Sequence, residues 1–405
     1  MENRMKDAQV IIVGAGPSGV VAAYALAQRG IRVLLCETES ICPEDMRAST
    51  FHPPTLEMLA ELGLLDAVEA QGLRAPVYNY RNRETGEVIA FDLGDIADAT
   101  PYPYRLQCEQ WKLTRLVTGL LEIHPDCEVK FRRKLLSFEQ DDDGVTAHFE
   151  APLAIEHYRA DYLLGTDGAN SIVRKWLNIE FEGFTYPEKF LTLSTDYPLE
   201  AHFDNLARVS YVADQREWCV LLKVPTLWRV LVPADESESD ESLRSDAKKN
   251  AVFDGLLGKG VGETIKTYHR TVYRVHQRVA KNYRSGRAIL AGDAAHLNNP
   301  LGGFGMNSGV HDVWNLVPKL AAILQDGADP EPLLDLYDRQ RRTIMNEFVQ
   351  AQTIRNKQNL QYTDAESQAR NQAEIARIVA DPVLRREYLL RQSMLTSRIR
   401  EGEIR

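Results

Sequence analysis

Long apolar runs are missing from this 405-residue chain: the best, Val10 to Val13, is stopped by glycines, whereas a membrane span needs roughly 18–20 residues. No membrane partner is therefore expected. The opening residues Glu2, Arg4, Lys6 and Asp7 mix charges ahead of that short run, which lacks the length and the small-residue cleavage site of a secretory signal. Cysteine is sparse and unpaired in pattern. Cys36, Cys42, Cys108, Cys127 and Cys219 are odd in number, scattered and form no CxxC, so reduced, buried thiols in a cytoplasmic protein are expected. Positive charge is in deficit as well: 48 Lys and Arg against 58 Asp and Glu give a net charge of −10, which opposes binding to nucleic acid. The nine histidines make no HExxH or HxH, and the acids form no calcium loop, so no metal site is expected. A serine hydrolase is unsupported because there is no GxSxG. Internal repeats and low-complexity tracts are absent too.

What is present is ordinary globular composition, with 44% hydrophobic and 26% charged residues, 25 glycines and 18 prolines. A single core stops growing at roughly 250–300 residues, so either two packed lobes, with a discontinuous lobe allowed, or one elaborated α/β unit is expected.

The strongest local signal comes first. Gln9 to Val13 reads as a buried parallel strand running into Gly14-Ala15-Gly16-Pro17-Ser18-Gly19, followed by a helix over Val20 to Gln28 and a second strand over Ile31 to Cys36. In this GxGxxG, Gly14 permits the tight turn, Gly16 lets the backbone approach a pyrophosphate, and Gly19 lets helix and sheet pack closely. Free N–H groups and the dipole at the helix start attract phosphate. Glu37, eighteen positions after Gly19, can accept hydrogen bonds from both hydroxyls of an adenosine ribose and would repel a 2′-phosphate. FAD or NAD fits this site better than NADP.

Two more glycine-centred segments lie downstream. Tyr162 to Arg174 is an apolar strand turning at Asp167-Gly168 into a helix opened by Asn170 or Ser171, and alone it reads as a turn. Arg287 to His296 delivers Asp293 at a strand end, and Asn299-Pro300-Leu301-Gly302-Gly303-Phe304-Gly305-Met306-Asn307 offers a glycine-rich loop before a helix expected from about Ser308. In this order and at these separations, the three segments resemble the flavoprotein aromatic hydroxylases of the 4-hydroxybenzoate hydroxylase type over about residues 8 to 345.

That resemblance implies an α/β fold: a Rossmann-like FAD-binding domain with an inserted antiparallel-sheet substrate domain and a helical C-terminus. The FAD-binding parts would be 1–75, 105–185 and 280–332, the substrate parts 76–104 and 186–279, and the helical segment 333–405. It implies that Ser18 and Glu37 hold the pyrophosphate and ribose of FAD. Asp167 belongs to its DG motif with Arg174, and Asp293 to its GD motif, bonding the ribityl or phosphate portion. Gly305, Met306 and Asn307 would line the pyrimidine side of the flavin, with Arg47, Ala48, Gln110 and Gly303 as further cofactor contacts. Backbone donors in that loop would stabilise the charge of the reduced flavin. NADH or NADPH would be the co-substrate, and O2 would react at the flavin C4a position. A homodimer is a candidate assembly.

The substrate expected is a small aromatic: a phenol or a hydroxylated N-heteroaromatic ring. His52 is the leading candidate for its base, with His202 and Tyr211 next and Pro300 on the adjoining loop, while His296 is expected near cofactor or nicotinamide. The family's Ser-x-Arg carboxylate grip falls on Leu222-Lys223-Val224, so 4-hydroxybenzoate itself is not expected. Arg208, Arg216 or Arg229 could grip a carboxylate from elsewhere. Trp218, Leu222 and Trp228 equally suit an uncharged or extended ring. The alternatives are an FAD epoxidase, a hydroxylase of a larger natural-product scaffold, or a non-oxygenase redox module served by the C-terminal segment.

Overall fold

The computed structural model describes residues 6–44, 46, 48–214, 217–361 and 365–405. Val10–Val13 is apolar at every position because both faces of its sheet are covered, and it pairs in parallel with Val33–Cys36 on one side and Tyr162–Gly165 on the other. The six-stranded sheet runs in the order Arg284–Ser285, Ala288–Leu290, Tyr162–Gly165, Val10–Val13, Val33–Cys36, Cys127–Lys130. The helix Pro17–Ala27 starts on Pro17, earlier than the apolar periodicity suggests, because the fixed φ of proline suits a first helical turn. Its small buried residues, Ala22, Ala23 and Ala25, let it pack closely in the core.

The second sheet has eight strands in the order His296–Leu297, His269–Ala280, Phe181–Thr195, Trp228–Ala234, Cys219–Lys223, Val209–Ala213, Val77–Asn82, Val88–Asp92. It is antiparallel except where Val209–Ala213 runs parallel to Val77–Asn82. Strand alternation divides it into two faces. Leu191, Leu193, Val212, Leu221, Val230 and Val232 pack with Val252 and Phe253 of the helix Asp246–Leu257. Phe190, Tyr211, Val220 and Leu231 face the other way and share a core with Tyr78, Tyr80 and Phe91. After Asp235, Ser239 caps a short helix over Asp240–Leu243.

The C-terminal segment is helical, with Pro330–Ile344, a π-helical turn at Met345–Gln350, then Ala351–Leu360, Ala365–Ala380, Pro382–Gln392 and Leu395–Glu403. Pro382 stands at the first position of its helix, where Asp381 accepts hydrogen bonds from the amides of Val383 and Leu384. Leu360, Ile375, Leu389 and Leu395 join the core on the Tyr211 face of the eight-stranded sheet. Arg341 ties the tail to the nucleotide side through Asp312 and Glu401. No helix among the described residues is long and apolar enough to cross a membrane. All five cysteines are free, and burial raises the Cys108, Cys127 and Cys219 thiols to about 12, leaving them unreactive.

Candidate active site

The carboxyl ends of the parallel strands open into a cavity of about 430 Å3 that continues under the eight-stranded sheet. Gly14 has φ +100°, and a Cβ there would lie 2.5 Å from the carbonyl of Thr166. A Cβ on Gly19 would overlap Gly14 O, whereas Gly16 faces open space. Gly16 is the N-cap of Pro17–Ala27 and makes no side-chain cap bond, so the first amides of that helix lack intrahelical acceptors. Glu37 lines the same end, where Oε2 accepts from the Ala15 amide at 2.7 Å and Oε1 from Glu39 at 2.9 Å. A carboxylate offers about four acceptor directions, leaving room for ligand hydroxyls.

The two downstream turns meet this one. Asp167 lines the cavity, and its carboxylate caps the following helix by accepting from Ser171 Oγ and from the amides of Ile172 and Val173. Burial raises the Asp167 pKa, opposed by those same hydrogen bonds. Arg174 donates 2.8 Å bonds to Ala169 O and Ala294 O, so one guanidinium joins the DG turn to the GD turn. Gly292 and Gly309 close around Ser18 Oγ, while Asp293 is exposed toward the cavity. His296 departs from expectation. Its Nε2 donates to Asp312 at 2.7 Å inside the core, and it is not among the cavity-lining residues.

The helix expected from Ser308 begins at Phe304 and runs to Asp326. Gly302 (φ +109°) and Gly303 (φ +73°) turn the chain into it without a side-chain cap, so Gly305 and Met306 lie in its first turn and line the cavity beside Pro300 and Gly303. Asn307 is a second correction. It is fully buried, accepts from the His52 amide and donates to Thr50 O and Gly303 O, and thus clips the loop from behind without lining the cavity. Ala48 and Gln110 line the cleft with Trp111, and Arg47 lies outside the described residues.

At the far end the wall is Thr192, Tyr211, Val220, Leu222, Leu231 and Tyr273, with Leu301 opposite. Alternation explains why Leu222 enters and Lys223 does not: Lys223 stacks over Trp228 and lies 3.8 Å from Glu200. Trp218 and Trp228 are buried elsewhere. Of the arginines considered, Arg208 is exposed, Arg216 lies outside the described residues, and Arg229 reaches the cavity with its guanidinium on Ser49 Oγ and Met46 O.

His52 and His202 do not meet their expected roles. His52 is completely buried, stacks on Phe304 and donates from Nε2 to Gly302 O at 2.7 Å. Burial, with the Arg105 charge adding, pushes it down to about 3, too weak a base for a phenol. His202 is exposed and bonded to Tyr197 Oη. Tyr211 does line the cavity. Sequence reasoning missed Trp111, Thr192, Leu231, Tyr273 and Asn298, most of which strand alternation could have proposed once the pairing was known.

A dinucleotide cleft leading into an aromatic-lined chamber defines a flavoprotein oxygenase site. A family described as FAD binding domain matches residues 7–352, and the chain belongs to that family. It is 32% identical over 393 residues to para-nitrophenol 4-monooxygenase of Pseudomonas sp. (strain WBC-3), covering 96% of each chain. It is 34% identical over 359 residues to 6-hydroxy-3-succinoylpyridine 3-monooxygenase HspB of Pseudomonas putida, covering 87% of this chain and 88% of that one. The crystal structure of p-nitrophenol 4-monooxygenase PnpA from Pseudomonas putida DLL-E4 superposes with a TM-score of 0.89 at 33% identity, covering 95% and 96% of the two chains. The protein is an FAD-dependent aromatic monooxygenase.

Proposed function

We propose that the protein places one oxygen atom of O2 on the ring of a phenol or hydroxylated N-heteroaromatic compound, with NADH or NADPH as reductant. The observation that carries this reading is the single cavity running from Gly16 and Glu37, past the start of Phe304–Asp326, to Tyr211 and Leu222. Its residues fit FAD: open space over Gly16, two helix starts without side-chain caps, and a carboxylate at the ribose position. FAD, when bound, supplies hydride acceptance from the nicotinamide and oxygen activation at the ring.

The chain's own residues then divide the remaining work. Gly14, Gly16, Ser18 and Gly19 would hold the pyrophosphate, Glu37 the ribose, and Asp293 the ribityl or phosphate region. Ala48 and Gln110 would contact the cofactor along its length. Amides at Gly305 and Met306, at the start of a 23-residue helix, would offset negative charge on the flavin's pyrimidine edge. Tyr211 would contact the substrate oxygen, and Pro300 with Leu222 and Leu231 would exclude water. The two relatives' names, a nitrophenol and a hydroxypyridine oxygenase, agree with a chamber whose wall sets the tyrosines Tyr211 and Tyr273 among Val220, Leu222 and Leu231. Five free thiols agree with a reducing, cytoplasmic setting.

The test is turnover of the FAD-loaded protein under oxygen-18-labelled O2. One labelled oxygen in the ring product is expected; product oxygen drawn from water would overturn the assignment.

A further inference from the structure

Arg105, in the short strand Arg105–Gln107, is 1% exposed, and its side chain is the most heavily buried cation close to the substrate chamber. Its Nη1 donates to Tyr211 Oη at 3.3 Å, and its guanidinium sits 4.1 Å from the centre of the Tyr78 ring. Its Nε has no acceptor. Among the described residues no carboxylate pairs with it; the groups facing it are Tyr78 and Tyr80 from one strand, Tyr211 from the next, Tyr388 from the helix Pro382–Gln392, and His52. Burial holds Tyr78, Tyr80 and Tyr388 well above the usual tyrosine range and His52 far below the usual histidine range, so these four are neutral. A guanidinium stays charged in proteins, and burying one without a counter-ion is among the costliest placements a fold can make.

The hydrogen bond has a direction. Arginine only donates, so Tyr211 Oη is the acceptor and its own proton is free to point elsewhere. Tyr211 lines the chamber, with its ring held by stacking on Tyr80 at 5.0 Å. A charge-assisted bond from behind makes that O–H a stronger donor toward whatever lies in front.

We propose that Arg105 is a positioning residue that acts through Tyr211 to favour an anionic ring oxygen, so that the protein selects acidic phenols and hydroxypyridines bound as their phenolates. The inference rests on the ring-hydroxylation reading above. The substrate's proton goes to water on binding, or is already lost in solution, and no buried base is required. Arg229, which lines the chamber, donates to Ser49 Oγ and the Met46 carbonyl.

The test is the ionisation of p-nitrophenol bound to the FAD-loaded protein, followed by pH titration of its difference spectrum, because the phenolate absorbs visible light and the phenol does not. In the unsubstituted protein the acid constant of the bound compound should rise at least about tenfold over the free compound, one pKa unit downward. Arg105→Met should abolish that rise and move the acidic limb of kcat/KM upward in pH, while Arg105→Lys should keep most of it. Tyr211→Phe should lose it as Arg105→Met does, and it carries the comparison if Arg105→Met fails to retain FAD. Binding as the neutral phenol, or an unchanged titration in Arg105→Met or Tyr211→Phe, would overturn the proposal while ring hydroxylation stands. Absence of any phenol binding or hydroxylation would instead overturn the functional reading beneath it.

Discussion

At the scale of single residues, burial decides which side chains can do chemistry. His52 stands just before the helix Pro53–Glu61, where sequence reasoning sees a base near the flavin, yet its ring is sealed by Phe304 and the carbonyl of Gly302, 250 positions away in the chain. Nothing local records that contact. With its pKa at about 3 against the ordinary value of about 6.5, His52 is neutral in the folded protein, whereas the unfolded chain takes up a proton below about 6.5. Stability attributable to His52 is therefore full above that value and falls as pH drops toward 3, by at most about 1.4 kcal/mol per pH unit. His52→Gln should flatten this acid limb in urea unfolding across that range, and should leave the pH profile of turnover at neutral pH unmoved. The glycines of the first turn tell the opposite story. Their constraints are local and steric, a positive φ at Gly14 and a close approach at Gly19, so the chain sequence states them openly.

At the scale of elements, the three glycine-centred turns were legible as strand-to-helix junctions, but their joinery was not. Arg174 links two of them through carbonyls that carry no side-chain signature. The start of Phe304–Asp326 was misplaced because the cap rules look for a serine or asparagine, whereas here two left-handed glycines turn the chain with no cap at all. Of these two glycines Gly302 is the more constrained: a Cβ there would overlap the Phe304 ring and lie 2.8 Å from Asn356 Nδ2, at φ +109°. Gly302→Ala should lower stability by about 1–3 kcal/mol and weaken FAD binding, read by urea unfolding and by flavin fluorescence titration. The substrate wall was legible only as strands, since which side chain enters the chamber depends on pairing with strands far away in the chain.

At the scale of the molecule, the C-terminal helices belong to both halves. Tyr388 and Leu389 pack on the face that carries Tyr211, while Glu401 of the last helix receives Arg341, which in turn holds Asp312. Asp312 accepts from the Gly292 amide and from His296, so the tail is connected to the GD turn by a continuous series of polar contacts, buried up to Arg341 and half-buried at Glu401. A charged, polar sequence from residue 333 onward announces helices but not this docking, because the partners of Arg341, Asp312 and Glu401, lie 29 and 60 positions away in the chain. Glu401→Ala should cost about 1–3 kcal/mol by leaving Arg341 short of an acceptor, and FAD should dissociate more readily. The denaturant midpoint with and without FAD measures both.

In the proposed reaction one cavity couples nicotinamide oxidation to chemistry on an aromatic ring. The most direct measurement is NAD(P)H consumption by the FAD-loaded protein across phenols, hydroxybenzoates and hydroxypyridines, with ring product and hydrogen peroxide quantified together. An acidic phenol or hydroxypyridine should accelerate consumption and should itself be hydroxylated in proportion. Consumption that no aromatic compound accelerates, or that yields only peroxide with every one of them, would contradict the proposed reaction.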